Sequence, residues 1–167
     1  MSATTHHHPA LRVSDLDRSA QFYIDAFEGH WITRRFVLEG PFAEMVFGGP
    51  PGTRYAVSHV GFDEGSCVEL FEFLEPVAPI REISPWEGNL LHFGMQVDDV
   101  AAALARVEAA GGRRLWPDIA EWGDARVIYV YDLDENIIEL TDSSVARIAE
   151  LTIDQFPEAS PSAGGAQ

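Results

Sequence analysis

Arg126-Val-Ile-Tyr-Val-Tyr-Asp-Leu-Asp-Glu-Asn-Ile-Ile-Glu-Leu-Thr141 decides the fold. Val127 to Tyr131 is β-branched and aromatic, Asp132 to Asn136 is turn chemistry, and Ile137 to Thr141 is a second apolar run. The stretch reads as two strands joined by a short polar turn. Glu139 is the residue out of place, because its neighbours are Ile137, Ile138 and Leu140. Burying an unpaired charge is costly, so this carboxylate calls for a metal ion, a cation or a proton.

The same design occurs earlier, as Tyr55-Ala-Val-Ser-His-Val-Gly-Phe62, Asp63-Glu-Gly65 and Ser66-Cys-Val-Glu-Leu70. One offset of 70 residues relates Glu69 to Glu139 and His59 to Tyr129. Upstream, His8-Pro-Ala-Leu-Arg-Val-Ser-Asp-Leu16 matches His92-Phe-Gly-Met-Gln-Val-Asp-Asp-Val100 at an offset of 84. A duplicated unit, with an insertion before the first hairpin, accounts for both offsets.

Outward from these anchors, His8 to Val13 reads as a strand, and Asp15 opens a helix with Leu16, Ala20, Tyr23 and Phe27 at helical spacing. A long strand follows over 30–39, then a glycine- and proline-rich loop with one helical turn at Phe42 to Val46, then the first hairpin. In the second copy Leu90 to Val97 is the strand, Val100 to Ala110 the helix, and Arg113 to Trp116 a short strand before a Trp-bearing loop. The expected organisation is an N-terminal extension (1–7), a βαβββ module (8–74), a proline-rich linker (75–89), a second module (90–142), a C-terminal helix (143–155) and a disordered tail (156–167). The class is α+β: two tandem βαβββ modules forming a curved sheet around a cleft, with helices outside.

Strand alternation sorts the side chains. Leu11, Val13, Val68, Leu70, Phe93, Met95, Ile138 and Leu140 face the helices, whereas His8, Glu69, His92 and Glu139 face the cleft. Four groups with metal-ligand chemistry, from four strands and recurring in both halves, point to one bound ion. Two imidazoles and two carboxylates suit Zn, Fe, Mn, Co or Ni, and the lack of thiolates argues against a purely structural zinc. Counting back from a three-residue turn puts His59 opposite Glu69 and Tyr129 opposite Glu139, as candidate acid, base or oxyanion donor. Arg12 and Gln96 share the cleft face as candidate substrate contacts. Trp86, Trp116 and Trp122 border it and suit a bulky or apolar substrate. Cys67, two residues from Glu69, is a small pocket-wall residue.

Composition narrows the partners. A net charge of -16 argues against nucleic acid and anionic membranes. All 11 basic residues are arginine, which removes lysine Schiff-base chemistry. The single cysteine excludes an intrachain disulfide. Neither a membrane-spanning run nor a signal-peptide pattern is present, so a cytoplasmic location is expected.

The chain resembles the vicinal oxygen chelate superfamily over about residues 8–141, on the two His-containing stretches, on Phe22-Tyr23, and on Tyr129-Val-Tyr-Asp-Leu-Asp-Glu-Asn-Ile-Ile-Glu-Leu140. That superfamily includes glyoxalase I, methylmalonyl-CoA epimerase, extradiol dioxygenases and bleomycin or fosfomycin resistance proteins. Leu133 and Glu135 replace the family's Pro and Gly in the turn. The resemblance implies His8, Glu69, His92 and Glu139 as ligands, with Glu72 a rival to Glu69. It also implies a homodimer, and a reaction in which Glu139 or Glu69 moves a proton next to a carbonyl. The alternatives are an Fe-dependent extradiol dioxygenase using His8, His92 and Glu139, and a non-catalytic protein that sequesters an antibiotic. The acid histidine expected of the dioxygenases between residues 74 and 91 is missing.

Overall fold

Both hairpins form in the register that alternation requires. In the computed structural model, which describes residues 6–77, 79–81 and 90–161, each carboxylate sits across from its expected partner, His59 opposite Glu69 and Tyr129 opposite Glu139. The first module comprises β1 (Ala10–Arg12), α1 (Leu16–Phe27), β2 (His30–Glu39), α2 (Pro41–Phe47), β3 (Arg54–Gly61) and β4 (Cys67–Glu75). The second comprises β5 (Phe93–Gln96), α3 (Val100–Ala109), β6 (Arg113–Arg114), β7 (Ala120–Trp122), β8 (Ala125–Tyr131) and β9 (Ile137–Thr141), followed by α4 (Val145–Gln155).

Sheet order repeats with the sequence: β1-β4-β3-β2 in one module and β5-β9-β8-β6 in the other, with β7 also on β8. In each module the opening strand lies parallel to the closing one, because the helix between them carries the chain across the sheet. Both helices start the same way. Asp15 accepts from Arg18 N at 3.0 Å and Asp99 from Ala102 N at 2.9 Å, so the 84-residue offset preserves the cap as well as the strand.

One apolar core serves both modules. Leu11, Val60, Val68 and Leu70 from the first sheet and Ile128, Val130, Ile138 and Leu140 from the second pack against α1 and α3. A hydrogen-bonded joint reinforces it. Asp134, in the β8–β9 turn, accepts from Ser14 N at 3.0 Å and Ser19 Oγ at 2.9 Å, while Asp132 accepts from Tyr23 OH at 2.7 Å. Both carboxylates are buried, and every oxygen is satisfied. A Cβ at Gly112 would come within 2.7 Å of Val107 and 2.8 Å of the Tyr131 carbonyl, so only glycine permits this approach of α3 to β8.

Some boundaries differ from those expected. The Trp-bearing loop contains β7, which folds back on β8 through Gly123 at φ 65°. The C-terminal helix is capped by Ser144 and runs to Gln155, and the first residues beyond it make a 3₁₀ turn over Pro157–Ala159. Most of the linker, including Trp86, and the end of the tail lie outside the described residues. No helix among the described residues is long and apolar enough to cross a membrane.

Candidate metal centre

Glu69 and Glu139 occupy equivalent places on the closing strands of the two sheets, on the faces turned away from the shared core. His8 precedes β1 and reaches Glu69, with 2.9 Å between Nε2 and Oε2. His92 precedes β5 and reaches Glu139, with 3.0 Å between Nε2 and Oε2. These separations are those of direct imidazole–carboxylate contacts. The donor types of each pair suit a divalent ion. The four expected ligands are brought together as two pairs. Among the described residues, no group of three His, Cys, Asp or Glu side chains converges to hold an ion.

Each carboxylate also has a partner across the strand pair. His59 Nε2 lies 3.3 Å from Glu69 Oε1, and Tyr129 donates to Glu139 Oε2 at 2.6 Å. Burial, and then the hydrogen bond to Glu139, push the Tyr129 phenol well above its ordinary pKa, so it remains a neutral donor. The Trp116 ring stands 4.6 Å from that of Tyr129, and His92 meets Tyr129 edge-on at 5.0 Å.

Glu72 serves a different purpose. It lies on the helix face of β4, where it accepts from Leu16 N at 3.1 Å at the start of α1 and pairs with Arg35. Arg12 is exposed, with its guanidinium 5.9 Å from the Phe73 ring. Gln96 is exposed on the face of Glu139 and lines a groove of about 1180 Å³ between the modules, bounded also by His6, His7, Pro9 and His92. Glu69 and Glu139 do not line this groove. Trp122 stacks on Phe156 at 6.2 Å, which ties it to the C-terminal segment rather than to Trp116 and Tyr129. Cys67 is buried on the Glu69 face, and desolvation, then the Glu69 charge, raise its thiol pKa, so it stays protonated.

Two features were not foreseen. Thr33 on β2 contacts His59, and Phe47 of α2 packs with Tyr55, Phe71 and Phe73 beyond Glu69 on the same face. Alternation does not locate Thr33, because β2 carries register shifts on both sides of it.

Residues 5–140 match the family described as the Glyoxalase/Bleomycin resistance protein/Dioxygenase superfamily, and the chain belongs to it. Solved structures with the same fold include a glyoxalase family protein from Bacillus cereus (19% identity, 84% of this chain and 95% of that chain, TM-score 0.73). They also include the trypanothione-dependent glyoxalase I of Leishmania major (21% identity, 92% and 97%, TM-score 0.64). A mutant of the genomically encoded fosfomycin resistance protein of Listeria monocytogenes, complexed with Mn(II) and 1S,2S-dihydroxypropylphosphonic acid, matches at 18% identity over 93% and 99%, with a TM-score of 0.55. At these identities the likeness is one of fold. No curated protein matches the sequence.

Proposed function

We propose that the protein is a cytoplasmic, divalent-metal-dependent isomerase, epimerase or lyase that moves a proton on the carbon next to a carbonyl of a small organic substrate. The observation that carries this reading is the repeated pairing of an imidazole with a carboxylate, His8 with Glu69 and His92 with Glu139. In this reading all four side chains hold one ion, drawn from Zn, Fe, Mn, Co and Ni. When bound, the ion supplies positive charge that polarises the carbonyl and acidifies the adjacent C–H bond.

The chain's own groups divide the remaining work. Glu139 or Glu69 accepts the proton and returns it. Tyr129 keeps Glu139 oriented, and its neutral hydroxyl suits negative charge developing on a substrate oxygen. Trp116 bounds the apolar part of the substrate, while Arg12 and Gln96 meet its polar part. Trp122 is left out of this set by its stacking on Phe156.

This reading includes a homodimer in which each copy supplies one pair to a shared centre. Mn(II) in the fosfomycin resistance neighbour supports a divalent ion on this fold. A three-ligand iron site for ring cleavage would leave Glu69 without a task, although Glu69 is held between two histidines.

The test is calorimetric titration of demetallated protein with Mn, Co, Ni and Zn, alongside native mass measurement and solvent deuterium exchange into 2-oxo and 2-hydroxy carbonyl compounds. The expected result is one ion per centre in a dimer, lost in Glu69→Gln and His92→Ala, with deuterium entering beside the carbonyl. Absence of ion binding, or oxygen uptake with catechols in place of exchange, overturns it.

A further inference from the structure

The least expected side chain around the site is Thr33. Its hydroxyl oxygen accepts from the backbone N–H of His59 at 3.0 Å and lies 2.8 Å from His59 Nδ1. On the far side of the ring, Nε2 lies 3.3 Å from Glu69 Oε1. The second oxygen of Glu69 faces His8. Strand β2 is irregular between Trp31 and Thr33 and again between Thr33 and Phe36, yet Thr33 stays directly opposite His59. Bulges of this kind re-aim a side chain at the cost of regular pairing.

Proton accounting fixes the ring. A carboxylate oxygen only accepts, so the imidazole nitrogen facing Glu69 must carry a hydrogen. When the ring carries a single hydrogen, Nδ1 is then an acceptor. Thr33 Oγ1 already accepts from the main chain, and its single hydroxyl hydrogen is directed to Nδ1. The chain of donors runs from Thr33 to His59 to Glu69.

We infer that Thr33 is a positioning residue that locks His59 in its Nε2–H tautomer, so that His59 orients Glu69 and does not act as a base. This rests on the metal reading of Glu69 but goes beyond it, because it assigns a residue outside the expected set and reassigns His59. His59 in the first module then does through Thr33 what Tyr129 does alone in the second. In each case a donor across the strand pair holds one oxygen of the ligand carboxylate. Outer partners of metal ligands fix ligand orientation in this way, and their loss typically weakens metal affinity by about tenfold to a hundredfold.

The test uses the full chain with ¹⁵N-labelled histidine. Long-range ¹H–¹⁵N spectra of the metal-free protein, assigned with His59→Gln, report which ring nitrogen carries the hydrogen. The wild type is expected to show Nε2–H alone. Thr33→Val, which removes the hydroxyl but keeps the shape, should show mixed tautomers and bind Mn or Co roughly tenfold to a hundredfold more weakly. Thr33→Ser should restore both. A wild-type ring carrying hydrogen on Nδ1, or an unchanged tautomer in Thr33→Val, overturns the inference whether or not the protein binds metal. If the tautomer responds as expected but the wild type binds no ion, the positioning role stands and the metal reading fails.

Discussion

Tyr129 and His92 converge on the same oxygen of Glu139, at 2.6 Å and 3.0 Å from Oε2. The other oxygen has no hydrogen-bond partner among the described residues. Glu69 is held differently, with His8 at Oε2 and His59 at Oε1. The two half-sites are alike in outline and unlike in which carboxylate keeps an open oxygen.

Tyr129→Phe removes the donor and leaves Glu139 in place. Metal affinity should fall by about tenfold to a hundredfold. The phenol pKa is raised, so wild-type Tyr129 is neutral across the usual assay range, and the ratio of wild-type to variant activity should stay flat from about pH 6 to 9. A kcat/KM profile on both proteins checks this; a ratio that changes steadily with pH counts against a neutral hydroxyl at this position.

Stability should have an alkaline limb. Tyr23 is pushed well above its ordinary value by burial first and the Asp132 charge second, and Tyr129 is raised as well. The unfolded chain deprotonates both near pH 10 and the folded chain does so only higher. Their contribution is complete below about pH 10 and disappears as pH rises through the folded values. Thermal melts at increasing pH should show this fall in the wild type and a shallower one in Tyr23→Phe.

Asp134→Ala should loosen the joint between the modules. The substitution leaves Ser19 Oγ without its partner in a buried setting and Ser14 N without its partner in a part-buried one. The buried loss costs about 1–3 kcal/mol and the part-buried one about 0.5–1.5 kcal/mol, so a total loss of roughly 1.5–4.5 kcal/mol is expected from urea unfolding. A change below about 0.5 kcal/mol would remove the joint as a source of stability.

Glu135 stands at φ 67°, where the resembled family has glycine. Its ion pair with Arg113 is half exposed and contributes under about 1 kcal/mol. Left-handed backbone costs a non-glycine residue about 1–2 kcal/mol. Glu135→Gly should therefore be neutral to stabilising by about 1 kcal/mol, while Glu135→Val should be destabilising by about 1–2 kcal/mol. Chemical denaturation of both variants reads the sign.

How much could be read in advance depends on whether a feature is local. The start of α1 at Asp15 follows from helical spacing, while the register that sets His59 against Glu69, and the placing of Glu69 and Glu72 on opposite faces of one strand, follow from period-two alternation and one turn length. β7 was not foreseen because three residues leave too little pattern to separate strand from loop. Thr33 was not foreseen because bulges on either side break the parity that served elsewhere.

The sequence by itself determined two βαβββ modules and the hairpin register that sets His59 against Glu69 and Tyr129 against Glu139. Those relations depend on neighbours a few residues away along a strand or across a hairpin. Only the tertiary structure decided that Glu72 holds α1, that Trp122 belongs with Phe156, and that Asp132 and Asp134 fasten the second module to the helix of the first. Such contacts join residues distant in the chain, and they are selected by packing and by the need to satisfy buried polar groups, which leave no periodic trace in the order of amino acids.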